Sequence, residues 1–263
     1  MKRKNQSVFN RIVGRCALTL LACSALATAQ TAATTPTLTA GQLTIGTDPT
    51  YAPFIFTQGK VLTGFEVELM NEVARRLHLK PVWVYQPFDN LLIGLSQRRF
   101  DVVVGSHGIT AERLKAVDFA LPDYCSGGVI LSRPGGPSSP ADLKGKVVAV
   151  QVGTTYYQRL RQVPGLQSIK TLPGDPQALQ HLLSGRSDAF VTDRFVALGA
   201  QMKFSGAKLQ VGSMLFQEQI GFAVRKGNTR VTAAVNSALK GILSDGTYAN
   251  LSHKYFKTDI RCK

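Results

Sequence analysis

Acid is scarce in this sequence. Its 263 residues carry 16 Asp and Glu against 31 Lys and Arg, a formal charge of +15, and the first forty residues contain no acid at all. An imbalance of this size raises nucleic acid or an anionic membrane surface as partners. The basic residues are scattered, however, and beyond position 40 no run of Lys or Arg is longer than two. That pattern argues against a nucleic-acid tract. Cysteine is scarce as well, with four in the chain and no CxxC pair, and His78, His107, His181 and His253 show no ligand spacing. A metal centre is therefore not indicated. No apolar run reaches the roughly 20 residues of a spanning helix. Apolar residues make up 44% of the chain and charged residues 18%. A packed core is available and disorder is excluded. The length fits one large domain or two lobes of about 100 residues each.

Much of the basic excess belongs to the N-terminus. Lys2, Arg3, Lys4, Arg11 and Arg15 precede an uncharged stretch from Cys16 to Ala29. A basic start, a short apolar core and the small-x-small end Ala27-Thr28-Ala29 predict a secretory signal peptide over residues 1–29. A second reading is lipid anchoring, with Leu20-Leu-Ala-Cys23 as a loose cleavage box and Cys23 acylated. Residues 30–40, rich in Thr, Ala and Pro, read as a flexible leader. From residue 41 onward the charge is 26 − 16 = +10. Export to the periplasm or cell envelope leaves Cys125 and Cys262 in an oxidising compartment, where one disulfide or two free thiols are both open.

Short apolar runs then alternate with helical patterns. Strands are expected at 43–47, 82–85, 101–105, 146–150, 169–171, 188–192, 208–211 and 221–225. Helices are expected at 64–78, 89–98, from Thr110, and at 155–162, 176–184, 194–203, about 229–244 and 247–255. Phe65, Leu69, Val73 and Leu77 recur every four residues, as an amphipathic helix requires. The alternation predicts the α/β class, with mainly parallel sheets covered by helices. Two segments echo each other: Leu92 to Asp101 and Leu179 to Asp188 each read as a helix, a basic turn and an Asp opening an apolar strand. The echo suggests two lobes of similar build, separated near the Pro- and Gly-rich loop from Ser132 to Pro140.

Ligands of parallel sheets sit beyond the carboxyl ends of strands. The residues there are Asp48 and Tyr51, then Phe88, then Gly105, Ser106, His107 and Gly108 followed by Arg113, then Thr155 after Gly153, and Asp193. Arg113 offers a planar fork for a carboxylate. The helix start after Gly153 adds N–H donors for an anion. Asp193 offers a carboxylate to an ammonium group, and Tyr51 and Phe88 offer apolar faces. A carboxylate clamp with an ammonium clamp describes a free α-amino acid. Each residue also has an ordinary structural reading, as surface charge or helix cap.

Several motifs stand in order: Gly46-Thr-Asp-Pro-Thr-Tyr-Ala-Pro-Phe54, Thr63-Gly-Phe-Glu-Val-Glu-Leu69, Ile109-Thr-Ala-Glu-Arg113, Asp142-Leu-Lys-Gly-Lys146, Gly153-Thr-Thr155, Val191-Thr-Asp193, Ala223-Val-Arg-Lys-Gly227 and Asp245-Gly-Thr-Tyr248. Across about 41–257 the chain resembles the polar amino acid-binding proteins of bacterial ABC importers, solute-binding protein family 3. The resemblance implies a two-lobed periplasmic-binding-protein fold of type II, with two crossing hinge strands. Lobe 1 would be 41–124 with 221–263, lobe 2 would be 129–216, and the hinges 125–128 and 217–220. It implies that Arg113 and Thr155 hold the α-carboxylate and Asp193 the α-ammonium. Asp48, Tyr51 and Phe88 would lie around the side chain, with Gly105, Ser106 and Gly108 adding contacts from lobe 1. Relatives commonly carry Ser or Thr where this chain has Gly108, so the carboxylate shell departs from the family pattern there. His107 beside it reaches the ligand or packs internally.

The expected function is capture of a polar or basic L-amino acid by a monomer, and delivery to a membrane permease, with no cofactor and no metal. Arginine, lysine, histidine and glutamine lead the candidates because Asp48 can accept from their side chains. The alternative is an enzyme, since similar folds resemble cyclohexadienyl or arogenate dehydratases, in which a pocket acid expels a leaving group.

Overall fold

The computed structural model describes residues 35–262. The signal peptide, the start of the leader and the alternative anchor at Cys23 lie outside the described residues. In the first half of the sheet, β1 (Gln42–Thr47) is flanked in parallel by β5 (Lys80–Tyr85) and β6 (Val102–Val103). In the second half, β8 (Val147–Gln151) is flanked in parallel by β9 (Ser168–Leu172) and β10 (Ala189–Asp193). Two 16-residue strands, β7 (Val117–Ser132) and β11 (Gln210–Arg225), join the halves. They give one eight-stranded sheet in the order β5-β1-β6-β11-β7-β10-β8-β9. A small hairpin sheet of β2 (Thr50–Tyr51), β3 (Ile55–Gln58) and β4 (Val61–Thr63) leads into α1 (Phe65–Arg76). The remaining helices are α2 (Phe88–Ser96), α3 (Ala111–Ala116), α4 (Thr155–Leu160), α5 (Asp175–Leu183), α6 (Arg194–Lys203), α7 (Thr229–Ser244) and α8 (Thr247–Phe256).

Both faces of the sheet are apolar because alternate strand residues point to opposite sides. Leu43, Ile45, Val102 and Val224 face a core shared with α1, α7 and α8, whereas Val103 and Ala223 face α2 through Leu91 and Leu95. In the second half Leu131, Ala149 and Phe190 face one cluster, and Ile130, Val148, Val150 and Val191 face the other. The first core is aromatic, with Phe54 stacked on Tyr124 at 4.5 Å and edge-on to Phe65 and Phe195. On α1 the buried stripe is Phe65, Leu69, Met70, Val73 and Ala74, and acids in its first turn with Arg75 and Arg76 in its last suit the helix dipole.

The echoed segments share one device. Asp101 accepts a hydrogen bond from the Thr44 N–H at 2.9 Å, and Asp188 accepts one from the Val147 N–H at 2.8 Å. Each Asp thus ties its own strand to the neighbouring parallel strand. The clearest departures from the expected elements are β7, a 16-residue strand where the apolar runs predict none, and β11, which runs unbroken where two separate strands, 208–211 and 221–225, are expected. Between them the sequence Gly-Ser-Met-Leu-Phe-Gln-Glu-Gln-Ile has no clean alternation, and the pairing with β7 slips at several points between Val211 and Ala223. Bulges of this kind hide the two-residue period. The 101–105 strand is also shorter than expected, because only Val102 and Val103 pair.

Cys125 and Cys262 form a disulfide across a sequence separation of 137. It fastens the C-terminal tail to the middle of β7, where the Cys125 N–H also donates to the Ile260 carbonyl at 3.0 Å. Closing a loop this long restricts the unfolded chain, so reduction, or Cys262→Ser, should lower the unfolding free energy by about 3–5 kcal/mol. Denaturant titrations with and without reductant measure this.

Candidate functional site

The carboxyl ends of β1 and β8 open on one cavity between the two halves, as the strand-end rule requires. That cavity is lined by Asp48, Thr50, Tyr51, Ile55, Phe88, Gly105, Ser106 and Arg113 from the first half, and by Gln151, Thr154, Thr155 and Tyr156 from the second. The halves touch across it. Arg113 Nη2 donates to the Gly153 carbonyl at 3.0 Å, and the Tyr51 and Tyr156 hydroxyls lie 3.3 Å apart.

Arg113 is set by its own helix. Thr110 caps α3 by accepting from the Arg113 N–H at 3.2 Å, and Arg113 Nη1 donates to the Gly108 carbonyl at 2.9 Å. The guanidinium stands 5.9 Å from the Phe88 ring centroid. Burial lowers its pKa, with Glu218 opposing that shift. A partly buried cation with N–H groups to spare favours an anionic partner. On the other side of the cavity, Asp48 accepts from the Phe88 N–H at 3.0 Å and from the Thr50 hydroxyl at 2.8 Å. It thereby supplies α2 with the N-terminal acceptor that Pro87 cannot give. Burial raises its pKa.

Asp193 ends β10 and caps α6, with Oδ1 accepting from the Phe195 N–H at 2.7 Å. It is completely buried, and its Oδ2 has no partner among the described residues. Burial pushes its pKa up to about 7; Ser126 and the N–H groups of Phe195 and Val196 hold it down, and the charge of Glu218 adds to the rise. Asp175, at the start of α5, is likewise pushed up to about 7 by burial, although Thr192 donates to it.

Gly105, Ser106 and His107 serve packing more visibly than binding. A Cβ on Gly105 would lie 2.9 Å from the His107 ring, and that ring stacks on Phe88 at 4.4 Å with an 11° tilt. His107 is buried, and burial with the Arg113 charge lowers its pKa well below the usual value, so it is a neutral packed ring. The Ser106 hydroxyl and N–H both bond to Glu66. Glu66, pushed up to about 7 by burial, faces Asp123, whose pKa burial and Glu66 raise well above the carboxylate range. Two buried carboxyls this close do not both ionise.

Of the expected site residues, all but Gly108 and Asp193 line the cavity; the Gly108 carbonyl accepts from Arg113, and the Asp193 charge is felt by the Tyr51 hydroxyl. Gln151, Tyr156 and Glu218 are not among the residues the sequence picks out. Gln151 is lost when β8 is ended at Val150, one residue short. Tyr156 looks like part of an amphipathic helix beside Tyr157. Glu218 lies in the hinge expected at 217–220, between the two strands expected at 208–211 and 221–225, where no site residue is sought. Among the described residues no group of three or more His, Cys, Asp and Glu is placed to hold a metal, and no helix is long and apolar enough to cross a membrane.

A family model for bacterial extracellular solute-binding proteins, family 3, matches residues 43–258. The chain belongs to that family. Within it, the chain is 37% identical over 225 residues to the L-cystine-binding protein TcyJ of Escherichia coli K12, covering 84% of each. It is 30% identical over 254 residues to the lysine/arginine/ornithine-binding periplasmic protein of the same organism, covering 92% of this chain and 97% of that one. Among solved structures, an ancestral arginine-binding protein bound to arginine superposes with a TM-score of 0.79 at 37% identity, over 82% of this chain and 98% of that chain. The family's two-lobed type II architecture is the one described above.

Proposed function

We propose that this protein is an extracytoplasmic receptor that captures a polar or basic L-amino acid by closure of two lobes and delivers it to the permease of an ABC importer. The observation that carries this reading is the pairing of opposite needs across one cleft. Arg113 is a partly buried cation that lines the cavity from one lobe, and Asp193, a fully buried carboxylate with an unpartnered oxygen, stands at the end of β10 on the other, outside the lining that closure would extend. An α-amino acid supplies a carboxylate and an ammonium to match them. The lobes are 41–124 with 221–263, and 129–216; residues 125–128 and 217–220 are the hinges. Arg113 holds the α-carboxylate first. Closure brings Thr155 and Asp193 to the ligand, and desolvation of both charges is favourable only when both are paired. Tyr51, Phe88, Tyr156 and Asp48 then surround the side chain, with Gly105, Ser106 and Gly108 supporting it from lobe 1.

Similarity to receptors named for cystine and for lysine, arginine and ornithine supports the class of ligand, because each of those molecules carries a second cationic nitrogen. Asp48, with Gln151 and Thr50 beside it, is the acceptor for that far end. The protein acts as an exported monomer and performs no reaction on its ligand. Asp48 and Asp193 are engaged as acceptors, and His107 is packed away, so incubation with prephenate or arogenate should release no dehydration product. The direct test of capture is mass spectrometry of small molecules released when the purified protein is denatured. A stoichiometric free amino acid supports the reading, and release of a sugar, peptide or metal complex instead would sink it.

A further inference from the structure

We propose that Glu66 is a positioning residue for ligand capture: it takes the one proton of the Ser106 hydroxyl, so that Ser106 meets the ligand as a hydrogen-bond acceptor. The inference rests on amino acid capture at the cavity that Ser106 lines.

Glu66 is completely buried, and its place is set by the fold. It is the second residue of α1, and its N–H donates to the Phe54 carbonyl at 3.1 Å. From there its carboxyl reaches the loop that follows β6. Oε1 accepts from the Ser106 N–H at 3.2 Å, and Oε2 accepts from the Ser106 hydroxyl. Ser106 has a φ of 52°, in the left-handed region that residues with a side chain avoid. Two bonds from one carboxyl hold both its backbone and its side chain in that turn. The neighbouring Gly105 lines the cavity with it.

The direction of the hydroxyl follows from charge. Of the two buried carboxyls, Glu66 receives two donors and stands in the first turn of a helix, where the dipole favours an anion. Neither oxygen of Asp123 has a hydrogen-bond partner among the described residues. The proton that the pair retains therefore sits on Asp123, and Glu66 is the anion. A carboxylate only accepts, whereas a serine hydroxyl has one proton and two lone pairs. With its proton committed to Glu66, Ser106 Oγ has only lone pairs left for the cavity. An amino acid brings N–H donors in its ammonium group, and the basic members bring more in the side chain. Oγ accepts from one of these, and an unprotonated oxygen of a ligand finds no donor there.

The test is calorimetry at pH 8 on the full mature chain, using the free amino acid that binds the wild type most tightly. Glu66→Gln keeps the shape and reverses the polarity. The Ser106 N–H still needs the amide oxygen, so the amide nitrogen faces Oγ, donates to it and turns the hydroxyl proton away. Affinity should fall about tenfold or more, because a donor then meets the ligand's N–H. Ser106→Gly removes the hydroxyl, tolerates the left-handed turn, and should also weaken binding about tenfold. The combined variant should bind within about threefold of Ser106→Gly alone, because Glu66 acts through that hydroxyl. A merely structural role for Glu66 gives multiplied losses instead. Multiplied losses, or wild-type affinity in Glu66→Gln, overturn the inference while leaving amino acid capture intact. Neutron diffraction from unaltered, ligand-bound protein covers the case of a variant that does not fold. The Ser106 deuteron should point at Glu66 and a ligand N–D at Oγ, and a Ser106 deuteron pointing at the ligand overturns the inference. If the wild type binds no amino acid at all, both the inference and the function beneath it fall.

Discussion

Arg113→Ala should abolish amino acid binding, with affinity falling at least about a hundredfold, the scale of a lost charge-assisted, partly desolvated bidentate contact. Three contributions fail together. The α-carboxylate loses its fork of donors, the Gly153 carbonyl of the opposite lobe loses its 3.0 Å partner, and the Gly108 carbonyl loses its 2.9 Å partner. The first affects ligand affinity directly, and the second weakens the closed arrangement. Arg113→Lys should recover little, because a point charge cannot bridge the Gly108 and Gly153 carbonyls while offering two further N–H groups to a carboxylate. A thermal-shift titration reads the loss, and a ligand-induced shift that survives in Arg113→Ala would refute the assignment. The folded state should tolerate the change, because Arg113 donates only to two backbone carbonyls and contributes to no apolar cluster.

The second large effect is with pH. Glu66, Asp175 and Asp193 are each pushed up to about 7, in every case chiefly by burial. Their unfolded values lie near 4, so between about pH 4 and 7 the folded chain retains protons that the unfolded chain releases. Stability of the unliganded protein therefore falls as pH rises through this window. The groups held low, Glu72 and Asp245 at about 2, belong to partly exposed surface ion pairs whose contribution is lost only below about pH 4.5. Ligand binding runs the other way. An ammonium pairs with ionised Asp193, so below pH 7 capture must expel a proton. Affinity should drop by up to about tenfold per pH unit on that side and level off above it. Differential scanning at pH 5 and pH 8 should show a higher Tm for the unliganded protein at pH 5, and a larger ligand-induced rise at pH 8. The reverse order of the ligand-induced rises would contradict the placement of Asp193 as the ammonium acceptor, and the reverse order of the unliganded Tm values would contradict burial as the cause of the raised carboxyls. Asp193→Asn should bind weakly at both values and lose most of the pH dependence.

Which parts of this protein can be read from its residues follows from periodicity. Helices such as α1 and α7 show their buried stripe directly, because Phe65, Leu69 and Val73, or Val231, Val235 and Leu239, repeat at helical spacing. Buried parallel strands such as β1, β8 and β10 show as short Val- and Ile-rich runs. Their carboxyl ends then point to Asp48, Thr155 and Asp193. The crossing strands hide because their pairing slips at bulges, and Pro122 and Gly127 interrupt β7. Gly127 is confined to glycine by tertiary packing, since a Cβ there would lie 2.1 Å from the Phe216 carbonyl oxygen. Glu218 is hidden for the same reason. Its inward direction depends on register across the hinge, and nothing in Gln-Glu-Gln distinguishes the buried acid from its exposed neighbours. The engagement of Ser106 by Glu66 is equally invisible, because it joins residues forty positions apart through a buried carboxyl.

Calorimetric titration of the mature protein with each of the twenty L-amino acids at pH 8 tests the central claim most directly. Saturable one-to-one binding of at least one polar or basic member, lost in Arg113→Ala, is the predicted result. Absence of heat from all twenty, or binding that Arg113→Ala leaves unchanged, would contradict it.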